Sequence, residues 1–98
     1  MAADVTWTES ASADLEAALR FGFGRDPVAA TTFRDRINET ARTLAHMPHI
    51  GPVYDRVEGG RTREVICTPY RLFYRVSEDG TSVEILRLWP GSRREPRF

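Results

Sequence analysis

The sequence contains no lysine: its 98 residues carry 14 basic side chains, all arginine, against 14 acidic ones. Zero formal charge argues against the broad nucleic-acid affinity that a cationic excess confers, and the arginine-only usage reads first as nucleotide bias. A single cysteine, Cys67, excludes an internal disulfide and fits a reducing compartment. No apolar run approaches the roughly 20 residues that span a bilayer. Met1-Ala2-Ala3-Asp4 lacks the charged and apolar regions of a signal peptide. A cytoplasmic protein without a membrane partner is expected. Repeats, linkers and low-complexity stretches are missing as well, which leaves one domain over residues 1–98. A chain of this length buries about 60–65% of the surface that its unfolded form exposes, so its stability should be modest and open to support from a partner.

Residues that carry chemistry are also sparse. His46 and His49 stand three apart, but no cysteine pair or acidic set completes a metal site. Cys67 sits in a strand pattern with no cue for nucleophilic activation and reads as a small buried residue. Gly59-Gly60 lacks the phosphate-loop pattern and reads as a turn. Glu9, Asp14 and Glu16 open the first helical stretch and read as surface charges that complement the helix dipole. No catalytic residue, metal or cofactor is expected. Charge is nonetheless uneven: residues 1–60 hold 6 Arg against 9 acids, and residues 61–98 hold 8 Arg against 5, so the C-terminal third is the basic one.

What is present is a clear order of elements. Val5 and Trp7 alternate with polar residues as a short strand, and Thr8 is placed to cap the helix that follows. Ala11, Leu15, Ala18, Leu19 and Gly22 recur at helical spacing, with fraying expected at 22–24. Asp26-Pro27 restarts the helix as N-cap and first helical residue. Ala30, Phe33, Ile37, Ala41 and Leu44 form the inner face of this second helix. Met47-Pro48-His49-Ile50-Gly51-Pro52 ends it, and a loop is expected to run on to Gly59-Gly60. Three strands follow, the first from Arg61 to Thr68 and ended by Pro69. The pattern predicts an α+β fold of order β-α-α-β-β-β, an antiparallel sheet packed against an N-terminal helical hairpin.

The last two strands flank Asp79-Gly80, the dipeptide of a type I′ turn. Centring the hairpin there sets Val76 opposite Val83, Tyr74 opposite Ile85, Leu72 opposite Arg87 and Tyr70 opposite Trp89 on one face, read as core. The other face pairs Arg75 with Glu84, Phe73 with Leu86 and Arg71 with Leu88, and reads as a binding surface. The assignment depends on the register, because a one-residue slip exchanges the faces.

Three segments carry a family resemblance that covers nearly the whole chain. Trp7-Thr8-Glu9-Ser10-Ala11-Ser12-Ala13-Asp14-Leu15 is similar to the first strand and Ala-x-x-Asp-Leu helix opening of ParE-type toxins, in the ParE/RelE superfamily of type II toxin–antitoxin systems. Leu44-Ala45-His46-Met47-Pro48-His49-Ile50-Gly51 resembles the Leu-x-x-x-Pro-x-x-Gly exit of the second helix. Tyr70 to Val76, Ile85 to Trp89 and Arg93-Arg94 resemble the central hairpin and its basic finish.

The resemblance implies two functional branches. RelE-type members are ribosome-dependent mRNA endonucleases, which need cations about the scissile phosphate and a proton donor. Arg71 matches the sheet-centre Arg, and Arg93 or Arg94 the C-terminal one. Thr62 and Glu64, however, stand where RelE proper carries lysines, and Pro90 stands where a His is usual. ParE-type members share the fold without that set and act on DNA gyrase. The ParE branch is therefore the expectation, with Arg93, Arg94 and Arg97 as target-binding candidates. A RelE-like nuclease using Arg71, Arg93 and Arg94, or an inactive member, is the alternative. The implied partner is a small, ParD-like or other antitoxin in a hetero-oligomeric complex, with Arg71, Phe73 and Arg75 as candidate contacts. Arg71 can equally be a structural arginine paired with a carboxylate.

Overall fold

The structure, a computed structural model, describes residues 2–54 and 61–98. The turn expected at Gly59-Gly60 lies outside them. Strand β1 (Asp4–Trp7) leads into helix α1 (Glu9–Ala17), which widens into a π-helical turn at Ala18–Gly22. Helix α2 (Pro27–His46) and strands β2 (Thr62–Cys67), β3 (Tyr70–Val76) and β4 (Ser82–Pro90) follow. Both caps form as the sequence predicts: Thr8 Oγ1 accepts the Ala11 N–H at 3.1 Å, and Asp26 Oδ1 accepts that of Ala29 at 3.1 Å. Fraying is expected at 22–24; the α-helical pattern already stops at Ala17.

The four strands stand in the order β1-β4-β3-β2. The α+β class and element order hold, with one difference at the edge: β1 runs parallel to β4, so the sheet is mixed rather than wholly antiparallel. Alternation of apolar residues is the same for either direction, so periodicity carries no information on it. The parallel pairing needs a long connection, and the helical hairpin with β2 and β3 provides it.

The core lies between the helices and one face of the sheet. Phe33, Ile37 and Leu44 of α2 and Ala11 of α1 pack with Leu72, Tyr74, Val83, Ile85 and Leu88, all nearly inaccessible to solvent. Tyr74 also closes the helix exit, its hydroxyl accepting the Gly51 N–H at 2.9 Å. A Cβ at residue 51 would stand 2.6 Å from the Glu64 carbonyl oxygen and 2.8 Å from that hydroxyl, so the close approach requires glycine there.

The hairpin departs from expectation twice. Of the two central turn residues only Gly80 has positive φ, 72°, so no type I′ turn forms. Instead the Asp79 carboxylate accepts bonds from the Ser77 hydroxyl, the Thr81 hydroxyl and the Thr81 N–H, a side-chain-built turn. It has the same centre, so Val76↔Val83, Arg75↔Glu84 and Tyr74↔Ile85 pair as predicted. Beyond them a β-bulge leaves Leu86 unpaired, and the partners become Phe73↔Arg87, Leu72↔Leu88, Arg71↔Trp89 and Tyr70↔Pro90. The extra residue exchanges the faces of the distal half of β4. Leu88 joins the core, and Trp89, read from the sequence as core, stands on the opposite face beside Arg71.

Candidate partner-binding face

The bulge is held by β1. The Thr8 N–H donates to the Ile85 carbonyl and Thr8 Oγ1 to the Leu86 carbonyl, both at 2.9 Å. Where β1 stops, α1 takes over the edge of β4: the Leu88 N–H donates to Asp14 Oδ2 at 3.0 Å. Arg87 grips the same carboxylate with two bonds, Nε to Oδ2 at 2.7 Å and Nη2 to Oδ1 at 2.9 Å. This charge-assisted pair holds the Arg87 guanidinium protonated beyond its ordinary range. Asp14 is thus the seat of a sheet arginine, not the surface charge that its place on the helix predicts.

On the sheet face away from the helices, the predicted groove is filled by the chain itself. Arg71 Nε donates to Glu64 Oε2 at 2.9 Å, and its guanidinium lies 4.9 Å over the Phe73 ring and 5.8 Å from the Tyr54 ring. Its side chain is only 17% exposed. Phe73 is fully buried, edge-on to Tyr54 at 4.9 Å and to Phe98 at 5.4 Å. Of the three candidate antitoxin contacts, only Arg75 stands open, half-exposed and 3.7 Å from Glu84.

The last residues lie across this face. The Trp89 indole N–H donates to the Arg94 carbonyl at 2.6 Å, and Arg87 Nη1 to the Arg97 carbonyl at 2.8 Å. Glu95 is 3.9 Å from Arg71, and Pro96 is buried. Arg93, Arg94 and Arg97 are exposed. Tyr54, Asp14 and Phe98 are the residues that the sequence reading missed. Asp14 had a signal, its place in the Ala-x-x-Asp-Leu segment; Tyr54 and Phe98 had none, since only the folded chain brings them to Phe73.

On the helical side a groove of about 830 Å³ is lined by Trp7, Leu15 and Leu19, with Glu16, Arg20, Arg34 and Asn38 around it. Phe21 and Val28 stand exposed nearby in sequence at the hairpin turn. His46 Nδ1 lies 2.9 Å from the Arg42 carbonyl at the end of α2. Burial pushes the Cys67 thiol up from its ordinary pKa, opposite to what a nucleophile needs. Among the described residues no group of three or more His, Cys, Asp or Glu is placed to hold a metal, and no helix is long and apolar enough to cross a membrane.

Residues 5–95 match the family described as the ParE toxin of the type II toxin–antitoxin system parDE. The chain belongs to the ParE toxin family. Its fold is that of solved toxin chains. A chain of the chromosomal ParDE system from P. aeruginosa is 24% identical with a TM-score of 0.70, over 90% of this chain and 95% of that one. A chain of the toxin–antitoxin complex RelBE2 from Mycobacterium tuberculosis is 26% identical with a TM-score of 0.67, over 92% and 99%. The YoeB/ParE toxin from Agrobacterium tumefaciens is 20% identical with a TM-score of 0.64, over 89% and 96%. Curated proteins yield no match. As a ParE-family toxin, the chain carries Arg71 and Glu64 at the sheet centre as a closed ion pair and Pro90 opposite Tyr70.

Proposed function

We propose that this ParE-family toxin acts by binding DNA gyrase and not by cutting mRNA. The observation that carries the reading is the closed sheet centre. A nuclease of this fold needs free cations there to meet developing phosphate charge, whereas Arg71 is paired with Glu64 and capped by rings. Pro90 adds no proton donor. The exposed arginines of the tail, Arg93, Arg94 and Arg97, are the surface offered to the target. The test is to add purified toxin to a gyrase supercoiling and cleavage reaction beside a translation reaction. Covalent gyrase–DNA adducts with intact mRNA are the expected result; cuts in mRNA without adducts reverse the reading in favour of an endonuclease.

Neutralisation would come from a small antitoxin bound in a hetero-oligomer; the similar RelBE2 structure is that of a toxin–antitoxin complex. An amphipathic segment suits the helical groove, its apolar side on Trp7, Leu15 and Leu19 and its polar side among Glu16, Arg20 and Arg34. A further part of the antitoxin would reach Arg75 on the opposite face of the sheet, with Arg71 and Phe73 joining the contact where the tail yields. A partly disordered antitoxin loses entropy on folding here, which fits an inhibitor that is readily removed.

A further inference from the structure

The arginines of the tail are useful to a partner only if something fixes where they point, and the bonds that do so run through main-chain atoms. We infer that Arg87, seated by Asp14, is the positioning residue that holds the C-terminal tail across the sheet and sets the direction in which Arg93, Arg94 and Arg97 face. Only the last step rests on the proposed contact of those arginines with the target.

Arg87 follows the unpaired Leu86, and the bulge is what turns it onto the face where the tail lies. Two of its N–H groups are spent on Asp14, at 2.7 and 2.9 Å, and a third donates to the Arg97 carbonyl at 2.8 Å. A guanidinium offers five donors in a rigid fork, so one side chain bonds a carboxylate and a carbonyl in different directions at once; an ammonium has no such fixed geometry. The guanidinium also lies 4.8 Å over the Trp89 ring, and Trp89 takes the Arg94 carbonyl at 2.6 Å. The tail is therefore held at two carbonyls three residues apart, with Pro96 buried between them and Phe98 against Phe73 beyond. The arginine side chains are left outside, Arg93 alone touching the mount at 6.0 Å from the Trp89 ring. Asp14 belongs to α1, so the helical hairpin and the tail share one connection.

The experiment uses the full chain with three changes: Arg87→Lys, the charge exchange Asp14→Arg with Arg87→Asp, and Phe98→Ala. Native-state cleavage by trypsin after Arg93 and Arg94, which requires the tail to leave the sheet, is read beside thermal unfolding and gyrase inhibition. Arg87→Lys keeps the opposite charges but not the fork, and tail cleavage should speed up about tenfold or more, the scale of one lost charge-assisted bond. The exchanged pair again sets opposite charges between α1 and β4, yet Asp at 87 has no donor for the Arg97 carbonyl, so its tail should remain loose even where thermal stability recovers. Phe98→Ala frees the far end without touching the pair and should speed the same cleavage. Unchanged tail cleavage in Arg87→Lys and in the charge exchange, or recovery of tail protection together with stability in the latter, overturns the inference. If the tail loosens and gyrase inhibition falls to that of Arg93→Ala with Arg94→Ala, the whole inference is supported. A loosened tail with full inhibition supports the anchoring and removes the tail arginines from target contact.

Discussion

At the scale of single residues, side chains do the work that backbone conformation was expected to do. Asp79 shows this in the hairpin turn, where bonds from Ser77 and then Thr81 draw its carboxyl from 3.8 down to about 2. A group whose folded-state pKa is depressed contributes stability that is fully present above its unfolded pKa and is lost as pH falls through the folded value. Asp79→Asn should therefore lower stability at neutral pH, and its denaturation midpoint should converge on that of the parent between about pH 4 and pH 2; a constant difference across that window would assign the effect elsewhere. Gly51 and Tyr74 form a pair of the opposite, long-range kind. The short segment Leu-x-x-x-Pro-x-x-Gly could be read from the sequence, but its reason, a backbone pressed against Glu64 and the buried Tyr74 hydroxyl, needs residues from two other elements.

At the scale of elements, the junction of β1, α1 and β4 decides where Arg87, Trp89 and the C-terminal tail stand. Thr8 caps α1 and at the same time bonds the Leu86 carbonyl, so one hydroxyl ties the helix start to the bulge. Thr8→Ala should cost about 1–2 kcal/mol, the usual range for a lost N-cap, seen as a fall of several degrees in thermal midpoint, and Thr8→Ser should restore most of it. Failure of Ser to rescue would show that the methyl group and not the hydroxyl matters. The cap and both helices were legible because they are local: Thr8, Asp26-Pro27 and the 3.6-residue apolar stripe need no distant partner. The bulge was not legible, because Leu86 is an ordinary apolar strand residue and the bond that holds its carbonyl comes from Thr8, 78 residues away. A hairpin register extrapolated from its turn is sound up to the first such interruption, here as far as Tyr74↔Ile85.

At the scale of the whole molecule, the two sides of the sheet are differently finished. The helical side has a filled core and, outside it, an apolar groove with Phe21 81% and Val28 76% exposed at the turn. The opposite side carries a second, smaller cluster of Tyr54, Phe73 and Phe98 under Arg71. Exposed apolar side chains such as Phe21 and Val28, together with the apolar lining of the groove, should gain from a partner that covers them. Expressed alone it should be less soluble and arrest growth; expressed with its neighbouring antitoxin reading frame it should be soluble and harmless. Equal solubility and harmlessness in both cases would count against the toxin reading.

The sequence by itself determined the element order, the helix starts, the inner faces of the helices, the hairpin centre and the family, because each depends on local propensity, on periodicity or on short motifs in a fixed order. Tertiary structure alone decided that β1 runs parallel to β4, that Trp89 faces away from the core, that Asp14 seats Arg87 and that the tail closes over Phe73. Those four outcomes rest on contacts between segments far apart in the chain, where alternation looks the same for either strand direction and one unpaired residue exchanges the faces.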